Sequence, residues 1–122
     1  MTVDGAAPAP QLDPIIHPSS RLLICACLAP ASQVEFAFLQ KTVGLSASAL
    51  SKQVRILIDA GYVAQLRDVV DSRRIWLRLT PVGRRAYRAH LAALQDLIAT
   101  GNRAGMHGAG EDEEFTPRRD RE

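Results

Sequence analysis

The side chains best suited to chemistry lie on one predicted helix, at positions 47–60. They are polar and short near the start of the helix and longer or basic further along: Ser48, Ser51, Lys52, Gln53 and Arg55. Short hydroxyl and amide groups can bond to base edges, and basic groups can reach phosphates. Ser46, just before the helix, can cap it and contact a phosphate with help from the helix dipole. The pattern indicates a nucleic-acid contact, although a solvated helix face would carry the same residue types.

Three arginines, Arg67, Arg73 and Arg74, form a second basic group around the predicted tip of a hairpin, residues 68–74. Asp68 or Asp71 can pair with one of them and hold the tip in shape. An arginine at such a tip can cross a phosphate ridge or enter a narrow minor groove. Together with the helix, this group favours double-stranded DNA over the alternative of an exposed hairpin with surface arginines.

The distribution of charge along the chain supports the same partner. The 122 residues carry a net charge of only +2, but the segment from Lys41 to Arg88 holds ten basic residues and three acids, a net +7. From Gly101 onward, four arginines face six acids, a net −2. A concentrated basic segment is typical of a protein that binds a polyanion.

The elements that must position these groups can be read from periodicity and turn residues. Apolar residues 22–28 predict a buried helix that starts near Ser19 and ends at Pro30. A short connector, with room for a brief strand, leads to a second helix at 36–43. The three-residue turn 44–46 then joins it to the helix at 47–60, and Gly44 suits the left-handed position at the end of the second helix. Two helices joined in this way can place the second in a major groove.

Beyond Gly61 the pattern changes to the alternation of strands. Residues 62–67 and 75–79 predict a hairpin, and Thr80-Pro81 starts a last helix as cap and first helical residue. The fold class is mainly α with a small antiparallel β-hairpin, a winged helix-turn-helix in α-α-α-β-β-α order. We expect one domain over residues 12–100, a disordered segment 1–11 and a flexible charged tail 101–122.

The last helix carries an apolar stripe that suits a second copy of the chain. Tyr87, Leu91, Leu94 and Ile98 are spaced by four, three and four residues, close to a heptad seam. We therefore expect a homodimer with these four residues at its interface. Packing of the stripe inside one protomer remains the alternative, and His90 is expected to line the same helix.

Two runs of residues resemble the recognition helix and wing of MarR-like winged-helix regulators, over roughly Ile15 to Ile98. They read Leu45-Ser46-x-x-x-Leu50-Ser51-Lys52-Gln53-Val54-x-x-Leu57-x-x-Ala60-Gly61-Tyr62-Val63 and Arg67-Asp68-x-x-Asp71-Ser72-Arg73-Arg74-x-x-Leu77-x-Leu79-Thr80-x-x-Gly83-Arg84. The resemblance implies dimerisation, major-groove contacts from the recognition helix, wing contacts from Arg73 or Arg74, and transcriptional regulation, with repression by promoter occupancy as the expected form. The chain has room for only one C-terminal helical extension and a short N-terminal segment, so it resembles the compact members, and the resemblance leaves a small-molecule effector open.

Enzymatic and metal-dependent functions find little support in the sequence. The histidines at 17, 90 and 107 stand apart from any Cys, Asp or Glu arrangement of a triad or metal site, and no glycine-rich phosphate loop occurs. Cys25 and Cys27 are two residues apart on a helix and point in different directions, which favours buried thiols over a redox pair. We expect no enzyme activity, cofactor or metal.

Neither a signal peptide nor a membrane-spanning run is visible, so a cytoplasmic location is expected. A rival interpretation keeps the winged helix but gives it another role, as a protein-interaction or scaffold module that does not bind DNA. The basic wing and the polar helix face distinguish the two, because a scaffold would tend to carry acidic or apolar residues there.

Overall fold

The computed structural model describes residues 11–108. Seven elements follow one another along the chain: α1 (Ser19–Leu28), β1 (Val34–Glu35), α2 (Phe36–Val43), α3 (Ala47–Asp59), β2 (Val63–Arg67), β3 (Ile75–Leu79) and α4 (Pro81–Gly108). The winged helix-turn-helix predicted from the sequence is confirmed, with four helices and a small antiparallel sheet. The brief strand allowed for in the connector exists as β1.

The sheet has the strand order β1-β3-β2, and both pairings are antiparallel. Val34 of β1 lies opposite Leu77, and Val63 of β2 lies opposite Leu79. Because side chains alternate along a strand, β3 turns Leu77 and Leu79 to the core and Trp76 to the other face. The sheet is therefore covered on one side only.

The core lies between this face of the sheet and the inner sides of the first three helices. It is built from aliphatic residues and one thiol: Ile16, Ile24, Cys25, Leu28, Leu39, Leu50, Val54, Leu57, Val63, Leu77 and Leu79. On α3, the buried positions 50, 54 and 57 recur at helical spacing and leave the opposite side of the helix to solvent. The core thus fixes which side of α3 is free to meet a partner.

Local signals at the helix ends behave as the sequence predicts. Gly44 ends α2 in the left-handed region at φ 74°, and the Ser46 hydroxyl accepts from the Ala49 backbone N–H at 3.1 Å. At the start of α4, the Thr80 hydroxyl donates to the Gly61 carbonyl at 2.6 Å and accepts from the Gly83 N–H at 2.9 Å. These caps fix the residues at which α3 and α4 begin.

Helix α4 extends further than expected. The sequence predicts that the folded region ends near Thr100, whereas the helix continues to Gly108. Gly101 and Gly105 weaken helix preference, but no proline occurs between residues 82 and 108 to break the helix. Most of the predicted disordered segment (1–10 of 1–11) and the rest of the predicted tail (109–122) lie outside the described residues. Within residues 11–108, no helix is long and apolar enough to cross a membrane.

Candidate nucleic-acid interface

The outer side of α3 presents a continuous polar and basic stripe. Ser48, Ser51, Lys52 and Arg55 are all exposed, and their spacing of three, one and three residues places them on one helix face. Four of the five predicted helix residues are therefore brought together. The stripe begins beside Ser46, whose hydroxyl is occupied with capping α3 and lies 3.4 Å from the Ser48 hydroxyl.

Gln53, the fifth residue, lies elsewhere. It is half-buried on the side of α3 that meets α1, where its Oε1 accepts from Nη1 of Arg21 at 2.7 Å. Arg21 also donates through Nε to the Ile15 carbonyl at 2.6 Å. The amide thus joins α3 to α1 and to the segment before it, away from the exposed stripe. The sequence did not point to Arg21, because this contact spans 32 residues.

Arg55 makes only a weak, exposed ion pair. Its Nη1 lies 3.6 Å from Oδ1 of Asp59 one turn on, and both side chains are about two-thirds exposed. Exposed pairs of this kind contribute little and are screened by salt. The guanidinium can therefore leave Asp59 for a phosphate at small cost.

The wing tip, residues 68–74, is an ordered turn built around Asp68. Oδ1 of Asp68 accepts from the backbone N–H of Val70 at 2.8 Å and of Asp71 at 3.2 Å, and Oδ2 accepts from the Trp76 indole at 3.3 Å. These bonds lower the pKa of Asp68, the Asp71 N–H contributing most. Asp68 shapes the turn, as predicted, and does so mainly through the backbone.

Arg74 is anchored at the base of the wing. Its Nε lies 3.2 Å from Oε2 of Glu35 on β1, and its guanidinium lies 4.9 Å from the ring centroid of Trp76. Nη1 is 3.8 Å from the Asp68 carboxylate. The bond and charge of Glu35 raise the pKa of Arg74. Glu35 and Trp76 were missed from the sequence, since β1 has no pattern that reveals its pairing with β3.

The other two wing arginines differ in how strongly the protein holds their side chains. Arg67 donates through Nη1 to the Ser72 carbonyl at 2.7 Å and so braces the turn from below. Arg73 is 89% exposed and meets only the neighbouring Asp71 carboxylate, at 3.2 Å. Of the three predicted arginines, Arg73 is the one most available to a partner.

A groove lies between α3 and the two strands of the hairpin. Its lining includes Ser51 and Arg55 from α3, Gln65 from β2 and Ile75 from β3. The exposed side of α3 therefore adjoins the strands that carry the wing tip. Gln65, an exposed amide in this groove, is a further candidate for a contact with DNA. The sequence gives little sign of it, because a single polar residue in a β-prone run is not distinctive.

The basic charge of the middle segment forms two groups rather than one. Four arginines, Arg78, Arg84, Arg85 and Arg88, line a cleft beside Ser32 at the other end of β3. Arg84 is fixed there by a 2.7 Å bond from Nη1 to the Ala29 carbonyl at the end of α1. The net charge of +7 counted along residues 41–88 is therefore larger than the charge near the α3 stripe and the wing.

The predicted dimer stripe is divided between the interior and the surface. Tyr87 and Leu94 are half-buried, whereas Leu91 is 37% and Ile98 60% exposed. His90 does not line an outer face as expected: it is 1% exposed, because α4 turns it toward the segment before α1, where Nδ1 accepts from the Asp13 N–H at 2.9 Å. The outer apolar side of α4 also includes Leu97.

The two thiols differ in burial, and neither forms a disulfide. Cys25 is buried in the core and Cys27 is half-buried, and both are free. Burial raises the pKa of Cys25 to about 11, so this thiol is protonated at neutral pH. Among residues 11–108, no group of three or more His, Cys, Asp or Glu side chains is placed to hold a metal ion.

Similarity to known proteins was found at the level of domain family and fold. A family model described as a winged helix DNA-binding domain matches residues 20–98. No curated protein matches the sequence. Among solved structures, a transcriptional regulator homologue from Pyrococcus horikoshii OT3 is 25% identical, with a TM-score of 0.69 over 72% of this chain and 88% of that one.

Two further structures share the fold at lower identity. YusO from Bacillus subtilis is 21% identical with a TM-score of 0.63, and the match covers 67% of this chain and 58% of YusO. NadR, solved in complex with 4-hydroxyphenylacetate, is 22% identical with a TM-score of 0.61, over 75% of this chain and 67% of NadR. The predicted resemblance to winged-helix regulators is confirmed.

Proposed function

Because the chain belongs to the winged helix DNA-binding domain family, we propose that it binds double-stranded DNA in a sequence-specific manner, as a homodimer, and represses transcription by occupying a promoter. The observation that carries the proposal is the exposed polar and basic stripe of α3, which borders a groove shared with the strands of the hairpin. A scaffold would have no need of hydroxyl and basic groups on two neighbouring elements.

In this proposal, α3 enters the major groove. Ser48 and Ser51, near the start of the helix, lie closest to base edges, while Lys52 and Arg55 reach phosphates. The capped start of α3, with Ser46, is placed for a backbone phosphate. Gln53 can join only by giving up its bond to Arg21, so we assign it to the positioning of α3.

The wing supplies the second contact. Arg73 is directed to the minor groove or the flanking phosphates, and Arg67 supports it by holding the turn. Arg74 acts through its ion pair with Glu35, which keeps the wing at a constant angle to the sheet.

Two protomers are proposed to pair through α4, with Leu91 and Ile98 at the centre of the seam and Tyr87 and Leu94 beneath them. A two-fold dimer would present two copies of α3 to half-sites about one helical turn, roughly 34–36 Å, apart. The preferred DNA site should then be close to palindromic.

Selection of bound duplexes from a random library by the full chain tests the proposal. We expect a near-palindromic site and an affinity that falls steeply with salt. Lys52→Ala with Arg55→Ala should weaken binding strongly. The matched control, Arg85→Ala with Arg88→Ala, removes the same charge from the cleft at the far end of β3 and should have a much smaller effect.

The opposite results would overturn the proposal. If no sequence is enriched and binding at low salt is absent, the chain does not act on DNA. If both double variants weaken binding equally, only net charge matters and α3 is not the recognition element.

A further inference from the structure

The tip of the wing carries two adjacent apolar side chains that are almost fully exposed. Val69 is 98% and Val70 95% exposed, more than any other large apolar residue within 11–108. Aliphatic side chains exposed so completely leave apolar surface in water that burial against a partner would remove. None of the contacts described above for the stripe and the wing arginines uses them.

This exposure belongs to an ordered turn. The Asp68 carboxylate accepts from the Val70 and Asp71 N–H groups, and the Asp68 N–H donates to the Arg74 carbonyl at 2.9 Å. The Arg74 N–H in turn donates to the Asp71 carbonyl at 2.9 Å. Valine is also stiff about its first side-chain torsion. A partner that covers the two valines therefore has little disorder to remove.

The charges around the valines suit a groove lined by phosphates. The carboxylates of Asp68 and Asp71 are engaged with backbone N–H groups of the turn and with neighbouring arginines. Arg73, beside the valines, extends into solvent. The result is a narrow apolar tip with a guanidinium group at its side.

We propose that Val69 and Val70 pack into the minor groove of the bound duplex, against its sugar walls and floor, and that they select A·T pairs there. The inference rests on the proposed function and adds a specificity element to it. In the minor groove, only G·C pairs display an amino group, the guanine N2 donor. An aliphatic side chain cannot accept a hydrogen bond from this amino group but would exclude water from it. The amino group would then be buried without a partner, so guanine is disfavoured at this position.

The first test replaces both valines by threonine, which keeps the branched shape and adds a hydroxyl. Affinity for the selected site should fall about tenfold, as expected for losing part of the burial of two valines. The salt dependence should not change, because aliphatic contacts release no counterions, whereas Arg73→Ala should reduce the slope by about one. Fluorescence of Trp76, the single tryptophan, reports whether the wing is intact.

Val82→Thr is the matched control, since it makes the same change on a half-exposed valine at the start of α4. The Val82→Thr variant should bind the selected DNA site with the same affinity as the unaltered chain.

The second test changes the DNA. At the pair nearest the wing, G·C is compared with inosine·C, which lacks only the amino group in the minor groove. The unaltered chain should prefer inosine·C, and the double threonine variant should lose most of that preference.

The possible outcomes separate this inference from the proposed function. Unchanged affinity and unchanged base preference in the double variant would overturn the inference while leaving DNA binding intact, and the tip would then be free for another partner. A changed salt slope with an intact wing would also contradict it, since the valines would then act through charge. No DNA binding by the unaltered chain would overturn both.

Discussion

The backbone N–H of Asp13 donates to Nδ1 of His90 at 2.9 Å and so joins the segment before α1 to the middle of α4, 77 residues away. The same aspartate accepts from the Tyr62 hydroxyl at 2.7 Å, and this bond is the main reason that the pKa of Tyr62 is raised to about 12. With its Nδ1 acting as an acceptor, His90 must be neutral. Its Nε2 is buried and has no hydrogen-bond partner among residues 11–108.

Stability should therefore decrease in mild acid. Burial lowers the pKa of His90 below its ordinary 6.5, and the charge of His17 acts in the same direction, while Asp13 opposes it. Below pH 6.5 the unfolded state then binds more protons than the folded state, so protonation favours unfolding. The stabilisation is fully present above pH 6.5 and is lost as the pH falls through the lower folded-state pKa. Urea unfolding at a series of pH values between 7 and 5 measures this slope.

His90→Gln should remove most of the pH dependence of the free energy of unfolding. It should also lower that free energy at pH 7, because the hydrogen bond to the Asp13 N–H is lost. His17→Gln is the control and should keep most of it, because burial is the main cause of the shift at His90. An unchanged slope in His90→Gln would show that another group is responsible.

A second prediction concerns the base of the wing. Glu35→Gln removes the charge that holds Arg74, and the guanidinium should then leave the face of Trp76. We expect the single tryptophan to become more accessible to acrylamide quenching, with little change in the unfolding midpoint, because the ion pair is half-exposed. Asp59→Asn breaks the exposed pair on α3 and should leave the quenching constant as it was. Equal quenching in all three proteins would show that Glu35 does not order the wing.

A third prediction contrasts two glycines of α4. A Cβ on Gly83 would clash with the Tyr62 carbonyl oxygen, whereas nothing lies within 4 Å of one on Gly101. Gly83→Ala must push the start of α4 away from β2 and should destabilise the fold by about 1–3 kcal/mol. Gly101→Ala should stabilise it by roughly 0.5–1 kcal/mol, the helix preference of alanine over glycine. Denaturant unfolding measures both, and the same sign for the two variants would contradict the packing described for Gly83.

Features that depend on neighbouring residues could be predicted from the sequence. The left-handed Gly44, the cap at Ser46 and the cap at Thr80 each need only a few residues to form. The apolar spacing of α3 likewise fixed which of its residues would be exposed, since burial at 50, 54 and 57 leaves one side of the helix to solvent. The one residue misplaced on that helix, Gln53, lies at the edge of the buried side.

Features that depend on distant residues could not be predicted. Strand β1 has only two residues and depends on its pairing with β3. No local sequence pattern therefore predicts the contact between Glu35 and Arg74, which are 39 positions apart. The burial of His90 likewise depends on the segment that Asp13 brings under α4. In the candidate site, the sequence could therefore suggest which groups are polar or basic, but it could not tell an anchored arginine from a free one.

The last prediction concerns assembly through α4. Ile98 is 60% exposed, so Ile98→Glu should be tolerated in a single protomer, while in the proposed dimer it would bury a charge without a partner. Such a charge costs about 3–5 kcal/mol, which would raise the dissociation constant of the dimer roughly a hundredfold or more. Val82→Glu adds the same charge at the first turn of the same helix, outside the proposed seam, and should leave the dimer intact. Sedimentation velocity across a concentration series measures the masses. Equal masses for the two variants would place the interface elsewhere, and a monomeric unaltered chain would remove the basis for a palindromic site.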